Sequence, residues 1–224
     1  MFATIPPPPN RLLVFARLPE LGQVKTRLAG DLGDERTLAV YEAMLQDLFA
    51  NLGESAESLE IEVLWAPTES ATGETLRRAF GDRQLAMQTG DTLGDRLSMA
   101  FSERFFFHRT QKVVAIGVDE PGITRALIGH AMGLLESCDW VVGPAADGGY
   151  YLIGCRAAAF DSAIFAGIEW GSDRVLAETL AKIRAWRTNV AVLPLRRDLD
   201  LIDDLRAYDG GGALGALLRE WELR

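Results

Sequence analysis

The amino-acid sequence predicts an α/β protein, a three-layer α/β/α sandwich around a mostly parallel sheet. Short apolar runs alternate along the chain with longer segments whose apolar residues recur at helical spacing. The run at 113–118 (VVAIGV) is apolar on both parities. This is typical of a strand buried on both faces, as in a parallel sheet.

The first half of the chain is predicted as follows. Residues 11–17 (RLLVFAR) form a strand, and Asp34 caps a helix whose apolar residues repeat at helical spacing until Gly53 ends it. Strands are predicted at 61–65 and 84–88, on either side of a helix at 72–80. A helix then starts near Thr92, because apolar residues form one stripe along it: Leu93, Leu97, Phe101 and Phe105.

In the second half, the 113–118 strand is followed by a helix at 124–136, which starts after the turn at Pro121 and Gly122. Strands follow at 140–143, 150–154 and 190–193, with a helix at 174–186 before the last of them. The Gly-rich stretch 143–149 is expected to break the strict alternation. Two short helices, split by the glycines at 210–212, finish the chain.

Composition limits the function. With 224 residues, 48% of them hydrophobic, we expect one catalytic domain at 10–224 after a flexible proline-rich arm at 1–9. A net charge of −9 and a pI near 4.8 argue against a nucleic-acid surface. No apolar run reaches the length of a membrane span, and no signal peptide is recognisable, so the cytoplasm is the expected compartment.

Carboxylates are the expected metal ligands. The chain has two histidines and two cysteines, the latter without zinc or redox spacing, so a bound ion is predicted to be Mg²⁺ or Mn²⁺. Asp119 follows the 113–118 strand and reaches the sheet edge where α/β folds bind ligands. Asp198 and Asp200, after the last strand, should reach the same edge. The alternatives are a helix N-cap for Asp119 and exposed turn acids for the later pair.

The loop after the first strand carries the expected phosphate site. It places Lys25, Thr26 and Arg27 at the start of a helix, where free N–H groups and the side-chain charges favour an anion. The loop lacks both the G-x-G-x-x-G and the Walker A pattern, which disfavours a Rossmann dinucleotide site or a P-loop kinase. A solvated surface triplet explains the same letters equally well.

The segment 144–154 (PAADGGYYLIG) is the candidate wall for a sugar or acceptor. Its glycines permit close approach to a ligand, Asp147 can accept from hydroxyl groups, and Tyr150 or Tyr151 can stack on a ring. Trp170 offers a further aromatic wall. An ordinary turn into a strand, and a buried Trp, are the alternatives.

Together these segments resemble a family of small bacterial GT-A-type transferases, the arsenosugar-biosynthesis-associated glycosyltransferases of the nucleotide-diphospho-sugar transferase superfamily. The matching segments, in family order, are FARLPELGQVKTRLA at 15–29, TGDTLGDRL at 89–97, IGVDEPGIT at 116–124, GPAADGGYYLIG at 143–154, IEWGSDRVLAET at 168–179 and LPLRRDLDLIDDL at 193–205. A more distant similarity is to 2-phospholactate guanylyltransferase.

The resemblance implies a GT-A fold and assigns residues to three sites. Asp119 and Asp200 would hold the metal ion, with Asp119, Lys25 and Arg27 as catalytic residues. Gly148, Gly149 and Tyr150 would line the sugar or acceptor pocket, beside Asp147 and Trp170. The nucleotide-binding set would be Arg17, Gly22, Lys25, Thr26, Arg27 and Gly94.

The chain also departs from the family pattern. Gly117 stands where GT-A transferases usually carry the first acid of an Asp-x-Asp motif, and Glu120 stands where relatives have a small residue. A lone metal aspartate is closer to nucleotidyltransferase practice.

Three functions therefore remain open. The first is metal-dependent transfer from a nucleotide-diphospho-sugar donor. The second is nucleotidyl transfer from a nucleoside triphosphate to a phosphorylated small acceptor. The third is nucleotide binding without catalysis. The donor base and sugar, the acceptor, the stereochemical outcome and the oligomeric state are left open by the sequence.

Overall fold

The computed structural model describes residues 9–223. Its strands are β1 (Asn10–Ala16), β2 (Leu59–Trp65), β3 (Gln84–Met87), β4 (Lys112–Ile116), β5 (Trp140–Pro144), β6 (Tyr150–Arg156) and β7 (Val190–Val192). Its helices are α1 (Thr26–Leu32), α2 (Asp34–Leu52), α3 (Gly73–Phe80), α4 (Leu93–Phe106), α5 (Arg125–Leu134), α6 (Val175–Ala185), α7 (Ile202–Ala207) and α8 (Gly212–Glu220). Two 3-10 turns lie at Ala157–Ala159 and Ser162–Phe165.

The strands form one seven-stranded sheet in the order β3-β2-β1-β4-β6-β5-β7. β6 pairs antiparallel with β4 and β5, and the other pairings are parallel. From β1 the chain proceeds outward through β2 and β3 and then returns to place β4 on the other side of β1. The carboxyl ends of β1 and β4 therefore form a topological switch point, where open α/β sheets bind ligands.

Both faces of the sheet are covered, which explains the apolar runs on both parities. Leu12 and Val14 of β1 point toward the side of α2, α3 and α5, whereas Leu13 points toward α4 and α6. A third apolar cluster joins α1, α7 and α8 to the outer face of α2, where Asp47 accepts hydrogen bonds from the first N–H groups of α8. Through Leu28 and Leu199, this cluster holds the helix after the β1 loop and the segment before α7 against α2.

The predicted fold class is confirmed, and the predicted elements agree with the observed ones to within a few residues at their ends. The strict alternation is interrupted after β5, where β6 follows without a helix between them and runs antiparallel to β5. Residues 1–8 of the predicted proline-rich arm lie outside the described residues, and the division into arm and single domain stays a prediction. None of the described helices is long and apolar enough to cross a membrane.

Candidate active site

A cleft of about 620 Å³ opens at the carboxyl edge of the sheet, over the switch point between β1 and β4. It is lined by the ends of β1, β2, β3 and β4, by the first turn of α4, by the start of β6 and by the loop that leads into α1. Because β6 is antiparallel, its first residues rather than its last reach this edge. The predicted site residues that line the cleft are Arg17, Lys25, Thr26, Arg27, Asp119, Tyr150 and Asp200.

Lys25 joins the two predicted metal aspartates. Its Nζ lies 2.5 Å from Asp119 Oδ1 and 2.7 Å from Asp200 Oδ1, and it donates to the Leu199 carbonyl oxygen at 2.9 Å. The Lys25 side chain is only 4% exposed. Burial lowers the pKa of Lys25, but the two carboxylates outweigh burial and leave it above its ordinary value. Lys25 is therefore a charged ammonium held between two loops that the sequence separates widely.

The backbone of the loop after β1 is held in a defined path. The Tyr41 hydroxyl accepts from Arg17 N at 2.9 Å and donates to Arg17 O at 3.1 Å, which ties the loop to α2. Gly22 adopts a φ of 71°, and Lys25 itself adopts a φ of 47°, which is uncommon for a residue with a Cβ atom. Arg27 is largely exposed, with Nη1 3.8 Å from Asp200 Oδ2. Thus one short loop presents three cationic side chains to the cleft.

Asp119 does not cap the helix that follows it. Thr124 is the N-cap of α5 and accepts from Leu127 N, so the alternative offered for Asp119 is wrong. The Asp119 carbonyl oxygen instead accepts from Leu199 N at 2.9 Å, which fixes its loop against the segment carrying Asp200. Nearby, burial and then the charges of three aspartates raise the pKa of Asp198 to about 7. The edge thus concentrates negative charge around one buried lysine.

The predicted sugar or acceptor residues divide into two groups. Tyr150 lines the cleft, and Trp170 meets its ring edge to face at 6.4 Å. Trp170 also packs on Gly94, where a Cβ atom would lie 2.5 Å from Trp170 Nε1, so both support the cleft wall indirectly.

The Asp147–Gly149 turn is not part of the cleft lining, although the charge of Asp147 contributes, after burial, to the raised pKa of Asp198. Asp147 Oδ1 accepts from Gly149 N at 2.8 Å, and the Gly148 carbonyl oxygen accepts from Leu176 N at the start of α6. A Cβ atom at Gly148, whose φ is 91°, would lie 2.1 Å from the Asp173 carbonyl oxygen. Gly148 therefore serves the close packing of the turn on α6.

Sequence reasoning missed a buried glutamine and an arginine at the side of the cleft formed by β1, β2 and β3. Gln88 donates to the carbonyl oxygens of Ala16 and Leu64, which holds the ends of β1 and β2 together. Arg96 of α4 donates to Gln88 Oε1 and to the Gly90 carbonyl oxygen. The QTGD segment at 88–91 directly follows a strand, and that position was the available signal.

Sequence reasoning also missed the partner of Glu120. The Glu120 side chain forms an ion pair with Arg196, whose Nη1 lies 2.5 Å from Glu120 Oε2. Its other oxygen accepts from Gly122 N at 2.9 Å. The departure at Glu120 is therefore a connection between the Asp119 loop and the segment after β7.

The donor set of this edge fits a hard divalent ion. Within residues 9–223, no three acidic, histidine or cysteine side chains come together as a complete metal site. Asp119, Asp200 and the Leu199 carbonyl group offer three oxygen atoms as ligands, and in this structure each of them contacts Lys25 Nζ. Mg²⁺ is commonly held by one or two carboxylates, with substrate phosphates and water completing its coordination. The residues present therefore suit an ion that arrives with a phosphate ligand.

Comparison with solved structures supports the same fold. A protein from Desulfovibrio desulfuricans G20, named as a candidate nucleotide-diphospho-sugar transferase, is 32% identical, with a TM-score of 0.89 and 95% of each chain covered. A CMP:2-keto-3-deoxy-manno-octonic acid synthetase complexed with CTP is 13% identical, with a TM-score of 0.52 over 95% of this chain and 99% of the other. Rv0371c from Mycobacterium tuberculosis H37Rv, in complex with manganese, is 14% identical, with a TM-score of 0.50 over 89% of this chain and 97% of the other.

Sequence comparison gives the family. A search of curated proteins finds no match. Residues 50–172 match a family model described as "Uncharacterized protein conserved in bacteria (DUF2064)". With the 32% identity to the Desulfovibrio protein over nearly the whole chain, this confirms the predicted relationship to nucleotide-diphospho-sugar transferases. The chain therefore belongs to the DUF2064 family.

Proposed function

We propose that this protein is a metal-dependent transferase that uses a nucleotide-diphospho-sugar donor. The observation that carries the proposal is the meeting of Asp119, Asp200 and Lys25 at the mouth of a cleft over the β1–β4 switch point. Carboxylates for a metal ion and cations for phosphate oxygens are the groups that transfer from a diphosphate donor requires. The name of the Desulfovibrio relative supports the same class of donor.

In this proposal the residues of the cleft have distinct tasks. Asp119 and Asp200 hold Mg²⁺ or Mn²⁺, which supplies charge neutralisation of the diphosphate leaving group. Arg17, Lys25 and Arg27 bind phosphate oxygens, beside Gly22, Thr26 and Gly94 of the predicted nucleotide site. The manganese complex of Rv0371c and the CTP complex of the synthetase are compatible with a metal–nucleotide ligand on this fold.

The acceptor side of the cleft is assigned to the start of β6. Tyr150 presents its ring to the cleft, and Trp170 supports that ring from the α6 side. Asp147, Gly148 and Gly149 shape the turn before it, so we expect them to affect the acceptor through the position of Tyr150. The predicted partners are small molecules, and the predicted compartment is the cytoplasm.

A thermal-shift panel tests the proposal. Nucleoside di- and triphosphates are added with and without Mg²⁺ or Mn²⁺, and a ligand at 100 times its Kd should stabilise the native state by about 2.7 kcal/mol. We expect the largest shift for one nucleoside diphosphate with metal. Asp119→Asn should lose the metal-dependent part, whereas Asp82→Asn, on an acid that is 96% exposed, should keep it. No shift with any nucleotide would refute the proposal.

Nucleotidyl transfer is the second candidate, and the absence of an Asp-x-Asp motif after β4 favours it. Gly117 occupies the position of the earlier acid and Glu120 is paired with Arg196, which leaves Asp119 as the acid of this strand end that contacts Lys25. Products separate the two reactions, because a glycosyltransferase releases a free nucleoside diphosphate and a nucleotidyltransferase releases pyrophosphate. A preference for a triphosphate in the panel, followed by pyrophosphate release, would replace the first proposal with the second.

A further inference from the structure

The Lys25 ammonium has the surroundings of a bound metal ion. Three oxygen atoms surround it, from Asp119, Asp200 and the Leu199 carbonyl group, at 2.5, 2.7 and 2.9 Å from Nζ. Two carboxylates and a main-chain carbonyl form the kind of oxygen set that hard divalent cations select. The three contacts match the number of ammonium protons, so Nζ occupies this position as a fully satisfied donor.

A divalent ion and this ammonium cannot share these oxygens. Metal–oxygen distances of about 2.0–2.6 Å would place the ion close to where Nζ lies. Two like charges at such a separation repel strongly at the effective dielectric of a partly buried site.

The loop around Lys25 carries other residues that the sequence predicts to bind phosphate. Lys25 lines the cleft together with Arg17, Thr26 and Arg27, which form the predicted phosphate-binding set. Its backbone, between the loop and α1, has a φ of 47°. This conformation costs free energy, and the surrounding contacts must offset that cost. A phosphate in the cleft can replace the carboxylates as partner of the ammonium without the charge leaving the site.

We infer that Lys25 is the resident cation of the Asp119–Asp200 pair, and that a divalent ion enters as a metal–nucleotide complex whose phosphates draw the ammonium away. The inference rests on the proposed function for its nucleotide. It makes the chelate, rather than free metal followed by free nucleotide, the form of substrate that binds. It also requires that metal and nucleotide strengthen each other's binding.

The first test measures Mn²⁺ binding in the absence of any nucleotide. Electron paramagnetic resonance reports the concentration of the free ion. Lys25→Met removes the charge and keeps a side chain of similar length. We expect the variant to bind Mn²⁺ more tightly than the wild type by about tenfold or more, because a repelling cation a few Å away is gone. Asp119→Asn in the Lys25→Met background should remove that tight site.

Arg27→Met is the matched control. It also removes one positive charge near Asp200, but Arg27 is 69% exposed and its guanidinium group lies 3.8 Å from the carboxylate. We expect its Mn²⁺ affinity to stay within about threefold of the wild type, as for a screened surface charge. Equal gains in Lys25→Met and Arg27→Met would show a general charge effect and overturn the inference.

Two further arms complete the test. Lys25→Gln can still donate to the Leu199 carbonyl group, and it repeats the Mn²⁺ measurement if Lys25→Met does not fold. Mn²⁺ affinity in either variant equal to or below that of the wild type would refute the resident-cation role. In the wild type, a nucleoside diphosphate should raise Mn²⁺ affinity beyond chelation by the free nucleotide.

The two proposals fail differently. If no nucleotide binds, the proposed function fails, while tight Mn²⁺ binding by Lys25→Met would still support Lys25 as the resident cation. If nucleotides bind but Lys25→Met gains no Mn²⁺ affinity, the resident-cation inference fails and the proposed function stands.

Discussion

The Glu120–Arg196 ion pair gives a prediction whose size follows from the structure. The Glu120 side chain is 10% exposed and that of Arg196 is 34% exposed, and their charged atoms lie 2.5 Å apart. Arg196 also lies over the Tyr151 ring at 5.7 Å. Arg196→Met keeps an apolar stem on Tyr151 but leaves a buried carboxylate without its partner. Removing one partner of a buried pair costs about 3–5 kcal/mol, and the exposure of Arg196 places this case near 3 kcal/mol.

The assay is urea unfolding followed by tryptophan fluorescence. Glu120→Gln combined with Arg196→Met should recover most of the loss, because no uncompensated charge then remains buried. Arg206→Met is the control, since its pair with Asp203 is solvent-exposed and should be worth less than about 1 kcal/mol. An Arg196→Met variant within about 0.5 kcal/mol of the wild type would refute the reasoning, because it would match an ordinary surface change.

The same variant should weaken ligand binding. Arg196 N donates to the Pro144 carbonyl oxygen and Leu199 N to the Asp119 carbonyl oxygen, so the pair lies beside the contact that holds the Asp119 loop on the Asp200 segment. Loss of the pair should therefore reduce the metal-dependent melting shift more than the metal-independent one. An unchanged metal-dependent shift would show that the two loops keep their positions without it.

Three further variants test the packing and the pH dependence. Gly148→Ala should lower the free energy of unfolding by about 3 kcal/mol in urea, because its Cβ atom meets the Asp173 carbonyl oxygen at a positive φ. Asp47→Ala should lower it by about 1–2 kcal/mol, because the Ala213 and Leu214 N–H groups lose their acceptor. Burial raises the pKa of Asp139, but the Asn189 N–H and Arg156 outweigh it and lower the pKa. Asp139→Asn should therefore destabilise the protein near neutral pH, by a difference that shrinks in thermal melts as the pH falls below about 4.

Controls and contradicting results are specific to each variant. Gly129→Ala in α5, where nothing lies within 4 Å of the new Cβ atom, should be neutral or stabilising. If Gly148→Ala behaves like Gly129→Ala, the described packing on Asp173 is wrong. Asp47→Asn should retain part of the cap, so equal losses in Asn and Ala would remove the capping argument. A pH-independent effect of Asp139→Asn would mean that its charge contributes nothing.

The sequence predicted the fold well because burial on both faces leaves a direct pattern. The 113–118 run is apolar on both parities because β4 lies inside the sheet with helices on either side. The direction of β6 was not predicted, although the short connection between the two predicted strands indicates it. Parallel neighbours need a crossover of about a dozen residues or more, and only residues 145–149 separate β5 from β6.

The sequence predicted that several candidate residues meet at one edge of the sheet, and it predicted only part of the contacts between them. Asp119 and Asp200 were expected at one edge, since both follow strands of the same sheet, and they do lie together. Lys25 was predicted to bind phosphate, and in this structure its ammonium contacts the two carboxylates. Charge alone does not say which of several acids a lysine will meet. Arg196 was overlooked because arginines in an acidic, turn-rich segment usually lie in solvent.

The hairpin between β5 and β6 has a consequence for how such an enzyme diversifies. Around most of the cleft, each strand is followed by a loop that leads into a helix. A change in the length of such a loop would displace that helix. Residues 145–149 instead leave and re-enter the same edge. Lengthening a loop whose ends are already adjacent costs only about 0.6 kcal/mol for each doubling. An insertion that keeps the packing of Gly148 on Asp173 can therefore reshape the Tyr150 side of the cleft without displacing the Lys25 loop.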